Sequence, residues 1–257
     1  YNRLFVKKGL ELIHKRYHTG IAKLIDNSKI SSSPTSQDLG FVVGPQINAA
    51  SRIDDSSLAS KLLISNDIEQ IESISRKLFL LNEKRKLIES SIYNEVFIQA
   101  EIQKNQNYIL AYGNNWHNGV LGIVASKIMN FFNKPTIVIS FTNEIGTGSA
   151  RSIKSIDLGK IIQNAKNKNI LISGGGHKMA AGLKINLKSI NVFNKYLQQN
   201  LDNLPKEFFK KIEYFDLEIS VNQINDDLME NIEMLEPFGA DNPEPRFVIT
   251  DLIIENI

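Results

Sequence analysis

Apolar residues recur at helical spacing through residues 2–25 (Leu4, Phe5, Leu10, Leu12, Ile13, Ile21, Leu24), broken at Gly9 and Gly20, and predict a helical opening. A serine-rich stretch around Pro34 predicts an exposed connection. Residues 38–45 form a short apolar run broken at Gly44-Pro45. From residue 56 to about 103, Leu62, Leu63, Ile71, Ile74, Leu78, Leu81, Ile88 and Ile92 predict a long helix or a helix pair. The charges between them (Glu83, Lys84, Arg85, Lys86, Glu89) read as a solvated face. The pattern then changes. Residues 108–112 are strand-like, 120–132 helix-like and 135–141 strand-like again, a β-α-β alternation that predicts an α/β domain. A helix over 156–167, a strand over 182–187 and a helix over 193–201 extend it. Beyond about residue 204, segments 214–221 and 247–254 alternate as strands around a short helix over 224–234.

Composition adds limits. The 257 residues suffice for one large domain or two modest ones, and 42% hydrophobic content argues against wholesale disorder. Lys and Arg number 30 against 28 Asp and Glu, so any basic binding surface must be local. The absence of cysteine excludes disulfides and thiolate metal sites and fits a reducing compartment. No apolar run is long enough to predict a membrane span. The start at Tyr1 and the stop within an apolar alternation read as an internal piece of a longer protein.

Three segments carry candidate chemistry. Gly174-Gly175-Gly176-His177 leaves backbone amides open to an anion, and the following 178–181 reads as a helix start that would favour phosphate. His177 could donate to a phosphate oxygen or move a proton. Trp116 and His117 precede a helix whose Gly119, Gly122 and Ala125 form a small-residue face; packing and binding roles are both open for His117, whereas Trp116 by itself reads as core rather than a stacking platform. Gly146 to Ser152 is glycine-rich and polar. Ser149, Ser152 and the guanidinium fork of Arg151 suit a terminal phosphate, though no Walker ending is present. His14 and His18 lie four apart, but without a nearby carboxylate they read as a solvated face rather than a metal pair.

Together these segments resemble the RecJ family of single-strand-specific exonucleases, in the DHH phosphoesterase superfamily. The resemblance rests on five ordered motifs: Gly44-Pro45-Gln46-Ile47-Asn48-Ala49-Ala50-Ser51-Arg52, Trp116 to Ser126, Gly148 to Ser152, Gly174 to His177, and Glu236-Pro237-Phe238-Gly239 with Asn242-Pro243-Glu244-Pro245. It implies an α/β chain holding the C-terminal part of a DHH domain (1–55), a connecting helix (56–105), a DHH-associated domain (106–205) and the beginning of a β-rich OB-fold (206–257). It implies a 5′→3′ exonuclease acting on single-stranded DNA in repair and recombination. Mn²⁺ or Mg²⁺ would serve the full-length protein, with ligands outside this chain, which would be inactive alone. Ser149, Arg151 and Ser152 would hold the 5′ phosphate; Asn48, Arg52, Trp116 and His117 would line the cleft. His177 would be the catalytic contact, beside the amides of Gly174, Gly175 and Gly176. A cytoplasmic monomer is implied, with room for a single-strand-binding protein and a helicase as partners. Gln46, Ser51 and Ala150 depart from the family's Arg, Gly and Gly. Two other readings stay open: a DHH-type phosphodiesterase for short oligonucleotides or cyclic dinucleotides, and a non-catalytic strand-binding module.

Overall fold

A computed structural model describes residues 2–28, 30 and 33–250. The described helices are α1 (Asn2–His14), α2 (Thr19–Asn27), α3 (Ser36–Asp38), α4 (Gly44–Ile53), α5 (Ser57–Ile64), α6 (Ile68–Ile102), α7 (Asn118–Phe132), α8 (Leu158–Asn167), α9 (Ile190–Leu201) and α10 (Asp226–Glu233). The strands are β1 (Ile109–Asn114), β2 (Thr136–Thr142), β3 (Ile145–Arg151), β4 (Ser173–His177), β5 (Ala180–Asn186), β6 (Leu217–Glu218) and β7 (Phe247–Val248). The chain divides into two compact units, one of residues 1–48, 57–79 and 212–257, the other of 49–56 and 80–211.

In the first unit, helices predominate. Leu24 and Ile25 on α2, Leu62 on α5, and Ile71 and Leu78 on α6 are buried. A Cβ at Gly20 would lie 2.6 Å from the Leu62 carbonyl oxygen, so the glycine permits α2 and α5 to cross closely. The opening helix is split: Arg16 takes a left-handed φ of 57°, and α2 restarts with His18 Nδ1 accepting from the Ile21 amide at 3.3 Å. His14 and His18 therefore belong to different helices, and the shared helix face expected from their spacing does not exist. Instead of ending structure, Gly44-Pro45 continues it: a π-helical turn over Leu39–Val43, closed by the Gly44 amide donating to the Leu39 carbonyl, leads directly into α4. Gln46 is buried and donates to Ser28 Oγ at 2.6 Å, so this departure from the family pattern is an interior contact. The 236–245 motif is a loop closed on itself by Asn242 Nδ2, which donates to the carbonyls of Leu235 (2.9 Å) and Pro237 (3.1 Å). Arg3 donates to the carbonyls of Met234 and Glu236, and Ser36 to that of Phe238. The two long terminal strands expected from alternation are reduced to the parallel pair β6 and β7; the end of the second, 251–254, lies outside the described residues.

The second unit is the α/β layer structure. Its sheet runs β1-β2-β3-β5-β4, with β1 and β2 parallel and the other pairs antiparallel. Strand alternation splits the core in two. Ile109, Ala111 and Val138 face α7 and the C-terminal half of α6, where Ile92, Val96, Ala100, Val120, Leu121 and Val124 close one layer. Leu110, Ile137, Ile139, Phe141, Ala150, Leu183 and Ile185 face α8 and α9 on the other. The expected solvated face of α6 is corrected at one place. Glu89 is 4% exposed and accepts ion pairs from Arg85 and, at 2.6 Å, from Lys127 Nζ on α7, so a carboxylate ties the two helices together beneath the surface.

Buried Tyr108 donates its hydroxyl to Asn194 Oδ1 at 2.7 Å. Burial, and secondarily the charge of Asp202, push its phenol up to about 12. An acid raised in the folded state stabilises the fold fully below its unfolded value near 10, and that contribution is lost as pH rises through about 12. Alkaline titration followed by phenolate absorbance should lose a late-titrating tyrosine in Tyr108→Phe, leaving Tyr196, which burial also raises; a variant with an unchanged profile would contradict the assignment.

Candidate functional site

The site is built where α7 crosses β3. Ser149 and Arg151 alternate outward on β3, while Gly148 and Ala150 turn to the α8 side, Ala150 entering the core. Above them α7 has no side chain: a Cβ at Gly122 would lie 2.7 Å from Arg151 Nη2 and 3.1 Å from Ser149 Oγ. One turn earlier, a Cβ at Gly119 would fall on the backbone carbonyl of Arg52, so the end of α4 can reach the same place. Arg52 Nη1 donates to Gly119 O at 3.2 Å. Arg151 Nη1 donates to Ser149 Oγ at 3.0 Å and to Ala150 O at 2.9 Å. Both arginines are half-buried, and neither has a carboxylate partner among the described residues. Burial, and then the like charge of Arg52, lower the pKa of Arg151, which nonetheless stays ionised at neutral pH. Two uncompensated guanidiniums with spare donors beside a hydroxyl are a receptor for a tetrahedral anion.

The sheet register extends the site sideways. Arg151 pairs with Ala180, and Ala180 with His177, so the three share one row and one face. The next row holds Ser149, Gly182 and Gly175. His177 therefore stands on the face of Arg151, two strand spacings or about 10 Å away, with only small residues between. His177 is exposed, and its imidazole makes no hydrogen bond among the described residues.

The glycine run itself is corrected. It is an edge strand, β4, and residues 178–179 are the turn of a hairpin into β5 rather than a helix start. No glycine has a positive φ. A Cβ at Gly174 would lie 2.8 Å from Ile162 Cγ2 on α8, and one at Gly176 would meet Ala180 and Ala181 of β5. These two glycines thus serve close packing, as does Gly159 of α8 against the His177 carbonyl. The glycine-rich, polar segment 146–152 is likewise mostly strand.

The remaining candidates separate. Trp116 is 7% exposed in the α6–α7 core, its indole donating to Glu95 Oε2 at 3.1 Å, so it is no open stacking platform. His117 caps α7, its Nδ1 accepting from the Gly119 amide at 3.1 Å, and it is exposed. Ser152 is fully buried and donates to Ile156 O at 2.9 Å, which removes it from the phosphate group. Asn48 lies four residues before Arg52 on α4. Ser51, also on α4, has no positive φ, so nothing there demands the family's glycine. The sequence reading missed Lys184, which pairs with Thr147 on one side and Ser173 on the other. Its signal was the small-and-polar alternation of Ala180, Gly182, Lys184 and Asn186.

Among the described residues no group of three or more His, Asp or Glu could hold a metal ion. None of their helices is long and apolar enough to cross a membrane.

The DHHA1 domain family matches residues 105–203, which hold the mixed five-stranded sheet, its Gly-Gly-Gly-His strand and Arg151. The RecJ OB domain family matches residues 215–257. Over nearly its whole length the chain is similar to RecJ exonucleases. It is 31% identical over its whole length to the single-stranded-DNA-specific exonuclease RecJ of Bacillus subtilis, of which it covers 33%. It is 33% identical over 96% of its length to that of Haemophilus influenzae, of which it covers 45%. The chain thus spans less than half the length of these curated relatives. The crystal structure of Thermus thermophilus RecJ with Mg²⁺ is similar over 96% of this chain and 38% of that one, at a TM-score of 0.84 and 27% identity. The Mn²⁺ complex of the same protein gives 0.85 and 26%, over 96% and 36%.

Proposed function

We propose that the chain is the phosphate-anchoring part of a metal-dependent 5′→3′ exonuclease that hydrolyses single-stranded DNA in repair and recombination. The observation that carries this is the Arg52–Arg151–Ser149 cluster, held open by Gly119 and Gly122 and unpaired with any carboxylate among the described residues. A terminal phosphate carries up to two charges and three free oxygens, whereas an internal phosphodiester carries one charge and has both ester positions filled by chain. A half-buried pocket with two cations therefore favours the end of a strand over its middle, and that preference gives polarity. Arg151 and Arg52 supply charge-assisted donors, Ser149 a hydroxyl, and His177 a ring nitrogen about two strand spacings away for an adjoining phosphate.

In this reading the chain's part is to bind and orient the strand, and the Mg²⁺ or Mn²⁺ seen with the relative is held by residues outside it in the full-length enzyme. The whole protein acts in the cytoplasm as a monomer and is open to cooperation with a single-strand-binding protein and a helicase. The test is nuclease assay with Mn²⁺. The full-length protein should degrade 5′-phosphorylated single-stranded DNA from that end, and residues 1–257 alone should not. EDTA-sensitive cleavage by residues 1–257 would overturn this division of labour.

A further inference from the structure

The face that carries Arg151 and His177 continues past the Ser149 row. Its next row is Thr147, Lys184 and Ser173, paired laterally across β3, β5 and β4. Lys184 and Ser173 are exposed and Thr147 is half-buried. The Lys184 ammonium makes no ion pair or hydrogen bond among the described residues, unlike Lys127 and Lys160 of the same unit. None of the positions that β3, β4 and β5 place on this face is acidic, although 28 of the chain's residues are. Between the two rows, Gly182 and Gly175 raise no side chain, and a Cβ at Gly182 would meet nothing nearer than 4.0 Å. A smooth path therefore joins two cationic rows.

We propose that Lys184, flanked by the hydroxyls of Thr147 and Ser173, is a second phosphate subsite that takes an internal phosphodiester of the strand whose end lies at Arg151. It rests on the reading of Arg151 as the end-phosphate site. Lys184 lies four residues along the strand direction from Arg151, about 13 Å, which matches the reach from an end phosphate past one phosphodiester to the next in an extended single strand. A lysine with two flanking hydroxyls reads charge and shape, so this contact is independent of base sequence.

The experiment compares the chain with its Lys184→Gln variant, using 5′-phosphorylated oligothymidylates of two and twelve nucleotides in EDTA over a range of salt. Loss of one phosphate contact should weaken the twelve-mer about fivefold near 0.1 M salt and lower the salt slope by about 0.7. The dinucleotide, too short to reach Lys184, should bind unchanged, and an unchanged melting temperature checks the fold. No loss on the twelve-mer, or equal loss on both lengths, overturns the second subsite. The end-site reading fails separately. If phosphorylated and unphosphorylated twelve-mers bind alike while Lys184→Gln still weakens both, the end pocket is wrong and the second subsite stands.

Discussion

Arg151→Ala should reduce the preference for a 5′-phosphorylated end by about 30- to 100-fold while weakening unphosphorylated strands only slightly. The magnitude follows from losing charge-assisted hydrogen bonds to a dianion, worth about 2–3 kcal/mol in a partly buried site. The same residue should contribute little to the stability of the free chain. Its charge is disfavoured by burial and by Arg52, and no carboxylate among the described residues offsets it. Arg151→Gln, which retains bulk, should therefore melt at or slightly above the temperature of the unaltered chain, as expected where a site holds unfavourable charge for binding. Oligonucleotide titrations and thermal melts check both statements. Equal loss of affinity for phosphorylated and unphosphorylated ends would remove Arg151 from the end pocket.

The largest stability effect is expected at Glu89. Its carboxylate is 4% exposed and sits between the Arg85 guanidinium, itself held by Asn82 Oδ1 at 3.1 Å, and Lys127 on α7. Glu89→Ala strands the buried arginine charge, a loss of about 3–5 kcal/mol. For a unit of this size, that should lower the melting temperature by about 10 °C or more. Replacing Arg85 and Glu89 together by methionine should recover most of it, because an apolar pair of similar volume needs no counter-charge. A Glu89→Ala variant within about 1 kcal/mol of the parent would show that α7 is not fastened here. The consequence reaches the site, since α7 carries the two glycines against which Arg52 and Arg151 are placed.

Much of the α/β unit was legible because its hydrophobic periodicities are strong. The apolar runs at 108–112 and 135–141 become the buried strands β1 and β2, and the helices between and after them lie within three residues of their expected bounds. β3 and β4 were not legible, for a physical reason. Gly146 and Gly148 sit beneath Ile139 and Phe141, where a Cβ would come within 2.7 and 2.9 Å of Ile139, so the core face of β3 carries only these glycines and Ala150. A strand with no large apolar residue on its crowded face looks like a loop. β4 repeats the effect with Gly174 and Gly176.

The site was legible in part. Ser149 and Arg151, two residues apart on β3, and the small-residue face of α7 are brought together by the fold. Ser152 was misread because, just past the strand, it turns inward to Ile156. Trp116, which by itself reads as a core residue and was placed in the cleft only by the resemblance, is in the core with its indole held by Glu95. Arg52 meets Arg151 through tertiary folding, which motif order alone suggested by resemblance and the helix–sheet crossing explains.

The central claim is that Arg52 and Arg151 jointly hold a terminal phosphate. It is tested most directly by following the guanidinium Nε–Hε resonances of both arginines by NMR as a short oligothymidylate is added without metal. With a 5′-phosphorylated oligonucleotide both resonances should shift together and saturate at one affinity, while the 5′-hydroxyl form shifts neither at the same concentrations. Shifts that are the same for the two oligonucleotides, or confined to one arginine, would contradict it.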